Sequence, residues 1–255
     1  MLNMRLHLRN VFLLFAAFLL FSCASRRTIV YLQDIDSKAS YKSLNYEPKL
    51  QPDDLLSIIV SAENAEVTVP FNLPQLESRN ADISQEGKKY LIDYEGNIDF
   101  PVLGKIKLSG LTRTEATKKL SDAISEYILH PSIYLRILNF RVAVLGEVNK
   151  PGNYTILGER VSVLDALGMA GDLTIYGKRD NILVIHEAEG KKTYSRIDLT
   201  NAAFMSTQSY YLAQNDIIVV EPNKTRVNSS VIGPNTSVVL AILPIAISIA
   251  VLLTR

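Results

Sequence analysis

Three histidines, one cysteine and a few adjacent carboxylates are the side chains with which this 255-residue chain could do chemistry. Cleaving or transferring a glycosidic bond would need two carboxylates held across one cleft. The pair Asp53-Asp54 does not supply that: neighbours in a strand point to opposite faces, and in a turn they cap backbone amides. Glu147, beside a turn, reads equally well as a solvated strand end. His7 lies in the N-terminal stretch that reads as a secretory signal, His130 precedes Pro131 at a helix end, and His186 sits on a strand. With no Gly-x-Ser-x-Gly elbow to accompany them, no nucleophilic constellation forms. No Walker-type glycine loop and no His-x-x-x-His pair is present, so nucleotide and transition-metal sites are unsupported. Cys23 is the only cysteine, which rules out an intramolecular disulfide and a Cys-based metal site. The sequence thus argues for a non-catalytic protein without cofactor or metal.

The two ends carry a different signal. Arg5 and Arg9 precede an apolar run from Val11 to Phe21, then Ser22 and Cys23, the layout of a secretory signal over residues 1–22. Leu20-Phe21-Ser22-Cys23 resembles the lipobox of bacterial lipoproteins, which implies acylation of Cys23 with palmitate-type chains. An ordinary signal peptide cleaved nearby, or an uncleaved anchor, is the alternative. Without residues 1–22 the chain holds 25 Lys+Arg against 26 Asp+Glu, a balance that excludes the basic patch expected of a nucleic-acid partner. At the other end, Asn228 to Thr254 is free of charge and Ser237 to Leu253 is almost wholly apolar. About 20 apolar residues span the hydrocarbon core, so residues 231–254 are expected to form a transmembrane helix, with a buried globular helix as the alternative. Ser237, Ala241, Pro244 and Ser248 share one narrow face of that helix, suited to helix packing or to lining a lumen.

Between the ends, residues 23–45 read as a polar tether. Gln51-Pro52-Asp53-Asp54 is a turn leading into a strand, Leu55 to Ser61. Tyr90 to Asp93 and Ile98 to Pro101 flank Tyr94-Glu95-Gly96-Asn97 as a hairpin, with Gly96 taking a positive φ and strand resuming from Val102 to Leu108. Thr112 and Glu115 form a capping box for an amphipathic helix over residues 113–128 that buries Ala116, Leu120, Ala123, Ile124 and Tyr127. Strands follow at Ile133 to Leu138 and Arg141 to Val148. Pro151-Gly152 is then expected to make a type II turn with a positive φ at Gly152. A short helix starts at Ser162, with Gly168 and Gly171 near its end. Asn181 to His186, Tyr194 to Asp198 and Ile217 to Val220 are the last strands. The fold class is α+β: two small β-rich domains, 46–139 and 140–225, each with one helix.

This order of features resembles the polysaccharide export family, the Wza-like outer-membrane proteins, over nearly the whole mature chain. Tyr46 to Ile58, including Gln51, Pro52, Asp53 and Asp54, matches the opening of its export domain. Ile92 to Gly104, with Asp93, Gly96, Pro101 and Gly104, matches its hairpin. Val144 to Tyr154, with Gly146, Pro151 and Gly152, and Val163 to Thr174, with Gly171, match a soluble-ligand-binding β-grasp module. Asp53 and Asp172 stand where glycine is common, and Asp tolerates left-handed φ better than most residues. The resemblance implies a lipid-anchored outer-membrane protein whose main domains lie in the periplasm. It also implies a ring homo-oligomer that conducts a capsular or extracellular polysaccharide, and an inner-membrane co-polymerase that regulates chain length as partner. The rival is a periplasmic polysaccharide-binding adaptor that is anchored in the membrane lipid without forming a pore.

Overall fold

The computed structural model describes residues 29–35, 46–72, 89–188 and 190–231, together with residues 242, 244, 245, 248 and 249. Helices and strands are mixed, and two hydrophobic clusters divide the chain. The first draws on residues between Leu50 and Leu135, the second on residues between Phe140 and Val220.

In the first unit β1 (Leu55–Ser61) runs antiparallel between β2 (Lys89–Leu91) and β5 (Ser132–Ile137). Leu56, Ile58 and Val60 alternate inward, and burying each contributes about 1.5–3 kcal/mol. A separate ribbon pairs β3 (Asn97–Phe100) with β4 (Gly104–Lys107). The expected turn at residues 94–97 exists, since Asp93 accepts from Gly96 N at 2.9 Å and Gly96 has φ +88°. It does not close a hairpin, however. The strand before it pairs with β1 and the strand after it with β4, so the chain changes sheet there. The actual hairpin reverses at Pro101–Leu103, which moves the start of β4 from Val102 to Gly104.

Helix α1 (Arg113–Ile124) carries the expected capping box: Glu115 N donates to Thr112 Oγ1 at 3.2 Å, and Thr112 N to Glu115 Oε2 at 2.8 Å. Ala116, Leu120 and Ile124 are buried against β5. The helix stops four residues short of the expected end. Beyond Ile124 the chain turns so that Ile128 enters the core, while Tyr127 lies exposed beside Phe71 with ring centroids 5.7 Å apart.

The second unit is a five-stranded sheet built from β6 (Arg141–Gly146), β7 (Gly152–Thr155), β9 (Gly177–Ala188), β10 (Lys191–Ile197) and β12 (Ile217–Pro222), in the order β10-β9-β12-β6-β7. Its central β12 runs antiparallel to β9 and parallel to β6. A two-stranded pair, β8 (Val161–Ser162) and β11 (Tyr211–Leu212), flanks helix α2 (Val163–Met169), whose capping box joins Ser162 and Asp165. A further helix, α3 (Lys224–Val231), follows β12; Asn223 Oδ1 caps it by accepting from Arg226 N at 3.0 Å.

Two more expectations are corrected here. Gly152 has no positive φ; it is the first residue of β7, paired with Val144. The reversal is made instead by Gly146 at φ +92° and by loop amides that bond sideways, Asn149 N to Asp172 O at 3.0 Å and Lys150 N to Ala170 O at 2.8 Å. Nor is the whole of 23–45 a free tether. Leu32 N donates to Leu199 O at 3.0 Å, Gln33 N to Thr200 O at 2.8 Å and Ala202 N to Asp34 Oδ1 at 2.7 Å, which straps residues 29–35 onto the second unit.

Cys23, Ser237 and Ala241 lie outside the described residues, as does most of the expected span 231–254. Of its proposed face Pro244 and Ser248 are described, in helical conformation, with Ser248 Oγ donating to Pro244 O at 2.8 Å. Among the described residues no helix is long and apolar enough to cross a membrane.

Candidate functional site

The motif residues singled out from the sequence build turns, not a cavity of their own. Asp54 is fully buried and accepts from Gln51 N at 2.9 Å, so its carboxylate caps the turn, while the adjacent Asp53 takes φ +69°. Burial pushes the Asp54 carboxyl up to about 6, against the Gln51 amide that favours its charge. Asp93 Oδ1 accepts from Asn97 N at 2.8 Å. A Cβ on Gly96 would lie 2.6 Å from Ser109 Cβ, and one on Gly146 would lie 2.1 Å from Val220 O. Pro101 and Gly104 frame the β3–β4 reversal, Pro151 leads into β7, and Gly171 with Asp172, at φ +72° and +67°, ends α2. Gln51 and Pro52 border a hollow of about 250 Å³.

The two units meet at a fastened junction that brings Tyr46 of the first onto the second. Asn139 fastens the junction: its side chain accepts from Leu55 N at 2.8 Å and donates to Asp53 O at 2.8 Å, while its carbonyl accepts from Gln214 Nε2 at 2.9 Å. Gln214 is buried and also accepts from Arg141 N at 2.8 Å. Arg113 of α1 reaches Glu159 of the second unit at 3.1 Å, and Arg136 donates to Leu157 O at 2.8 Å. These bonds carry Tyr46 of the first unit onto Tyr211 of the second, with ring centroids 5.3 Å apart and planes inclined by 14°. Tyr210 meets Tyr211 edge-on at 4.8 Å, and the Arg160 guanidinium lies 5.2 Å over the Tyr211 ring.

Beside this stack is a cavity of about 610 Å³ whose lining includes Tyr46, Tyr211, His186, Thr193, Ser195 and Gln208. His186 ends the inward face of β9, and its Nδ1 is 2.6 Å from Asp216 Oδ1. Asp216 is buried at the entry to β12, where its other oxygen accepts from Ala213 N at 2.8 Å. Burial raises the Asp216 carboxyl, and the Ala213 amide and His186 oppose it. The Tyr46 hydroxyl is pushed up to about 12 by burial and by the nearby Asp216. A phenol so held stays protonated and serves as a donor. The arrangement offers stacked rings, hydroxyls and an oriented imidazole, a set suited to binding. Among the described residues no three His, Cys, Asp or Glu side chains gather as a metal site.

The sequence named His186 but not its partners. Asp216 is thirty residues away and Tyr46 comes from the other unit, and only the register that sets Ile217 against Ile185 brings Asp216 beside His186. The polar run Ala213 to Asp216 has the composition of a turn, and nothing in it announces a buried carboxylate.

Residues 42–138 match the family model described as polysaccharide biosynthesis/export protein, and residues 140–220 match the SLBB domain. The chain belongs to the polysaccharide export family. The two matches meet at Asn139, the residue that fastens the export-type unit to the SLBB unit. Among curated relatives, the EPS I polysaccharide export outer membrane protein EpsA of Ralstonia solanacearum is 28% identical over 193 residues, covering 72% of this chain and 51% of the relative. EpsA of Ralstonia nicotianae is 32% identical over 111 residues, covering 40% of this chain and 29% of the relative. This family member therefore spans about half the length, or less, of the curated relatives it matches.

Proposed function

We propose that this chain is an outer-membrane lipoprotein that, as a ring of identical copies, forms a non-catalytic conduit for a capsular or extracellular polysaccharide. The observation that carries this reading is the unbroken succession of export-type unit and SLBB unit, matched by relatives that are themselves named polysaccharide export outer membrane proteins. Cys23 supplies the lipid attachment and residues 231–254 the membrane-spanning segment. The second unit faces the membrane. Its strap begins at Ile29, six residues after Cys23, and six residues reach at most about 22 Å. The same unit ends in α3, from which the C-terminal apolar segment departs.

One copy is too small to surround a polymer, whereas copies joined by a heterologous interface close into a ring. On the outer side of the first sheet Ile59 and the neighbouring Tyr134 are exposed, as is Leu91, an apolar surface that a second copy would cover. Polymer synthesis, chain-length control and energy are left to the inner-membrane co-polymerase and its associates. Removing residues 231–255 tests the conduit against the pore-free adaptor. The truncated protein should remain folded and lipidated while surface polysaccharide disappears; export at the normal level would make the C-terminal segment dispensable and favour the adaptor.

A further inference from the structure

We propose that the cleft of the second unit bordered by Tyr46 of the first is a saccharide subsite that holds one or two neutral sugar residues of the polymer against Tyr46, His186, Thr193 and Ser195. The inference rests on the export reading and adds to it the place where the chain grips its cargo. A pyranose presents apolar C–H faces and a rim of hydroxyls that both donate and accept. A site that fits it combines ring surfaces with neutral hydrogen-bonding groups at fixed positions.

The cleft has that composition. His186 and Thr193 are paired across β9 and β10, as are Val184 and Ser195, so imidazole and both hydroxyls share one face of the sheet. All three line the cavity together with Tyr46 and Tyr211. Among the described residues, no ionisable side chain lines it besides His186, Asp216 and tyrosines, which favours a neutral sugar over a charged group.

The His186–Asp216 contact gives the site its direction. The Asp216 side chain is 4% exposed, against 36% for His186. Asp216 is therefore a positioning residue: its oxygen, 2.6 Å from Nδ1, favours the tautomer with the proton there, in which Nε2 can accept from a sugar hydroxyl. The Tyr46 hydroxyl supplies a donor. A volume of about 610 Å³ falls within the range of about 300–1,000 Å³ usual for small-ligand pockets. The Asn139–Gln214 fastening fixes Tyr46 against the second unit before any ligand arrives, so little ordering is left for binding to overcome.

The chain has no tryptophan, so one introduced at the rim reports on the cleft without background. In the full chain in detergent, Gln208→Trp should show a saturable emission change with short oligosaccharides cut from the host's own surface polysaccharide. Tyr127→Trp, on the first unit, should show none. In the Gln208→Trp background, His186→Ala should weaken binding about tenfold, while His186→Gln, which can still accept, should keep most of the affinity. Thr193→Val should weaken it less than His186→Ala. Absence of a saturable change, an equal response at Tyr127→Trp, or unaltered affinity in His186→Ala would overturn the subsite. Complementation of a strain lacking the gene separates the two ideas. Export restored by a protein whose cleft binds nothing removes the subsite alone, whereas failure of the wild-type chain to affect export counts against the export reading.

Discussion

Replacing Asp54 by asparagine should stabilise the first unit near neutral pH and remove a pH dependence. Asp54 is fully buried at the start of β1, with Oδ2 accepting from Gln51 N at 2.9 Å and Oδ1 without a hydrogen-bond partner. A carboxylate there has one oxygen satisfied and one desolvated, and burial lifts its pKa from 3.8 to about 6. A raised folded-state value means that the folded protein holds the proton more tightly than the unfolded chain. Stability from this group is then fully present below pH 3.8 and is lost as pH rises through about 6. At about 1.36 kcal/mol per pKa unit the whole effect is about 3 kcal/mol, of which about 2 kcal/mol falls between about pH 4.5 and pH 7.5. The carboxamide introduced by Asp54→Asn would keep an acceptor for Gln51 N and carry no charge to desolvate. Hydrogen exchange of the β1 and β2 amides, followed through urea unfolding, reads this unit separately from the other. The stability of Asp54→Asn relative to wild type should climb by about 2 kcal/mol over that interval. A flat difference would refute the reasoning and mean that the second oxygen is solvated in the folded protein.

Gly146→Ala should destabilise the second unit by more than about 3 kcal/mol, because a left-handed φ is combined with a Cβ 2.1 Å from Val220 O, where β6 and β12 pair; chemical denaturation measures this. Gln214→Ala should cost about 1–3 kcal/mol by leaving the Arg141 amide unpaired, and should loosen the junction, seen as faster proteolysis near Asn139. Cys23→Ala should abolish incorporation of labelled palmitate, and undiminished labelling would reject the lipid anchor.

Local chemistry carried much of the fold from sequence to structure. Gln51 to Asp54 announced a turn and Leu55 to Ser61 a strand, and the expected Thr112–Glu115 capping box formed because its bonds lie within one turn of the chain. Asp53 and Asp172 occupy the left-handed region that their positions demanded. What could not be read was pairing at a distance. Tyr90 to Asp93 and Ile98 to Pro101 alternate as a hairpin should, yet β2 finds a better partner in β1, and only tertiary packing makes that choice. Gly152 looked like a turn glycine, while the tight approach that excludes a side chain is at Gly146, set by a strand seventy-four residues away. The cleft was hidden for the same reason, since Tyr46, His186 and Asp216 converge through sheet register and the Asn139 junction and through no local motif.

The central claim is that the chain moves finished polymer outward and neither makes nor cuts it. The most direct measurement is the partition of polysaccharide between cell surface and periplasm in a strain from which the gene has been deleted. Polymer of normal repeat structure held inside the envelope, with little at the surface, is the result expected of a conduit. Unchanged surface polymer, or polymer of altered repeat structure, would contradict it.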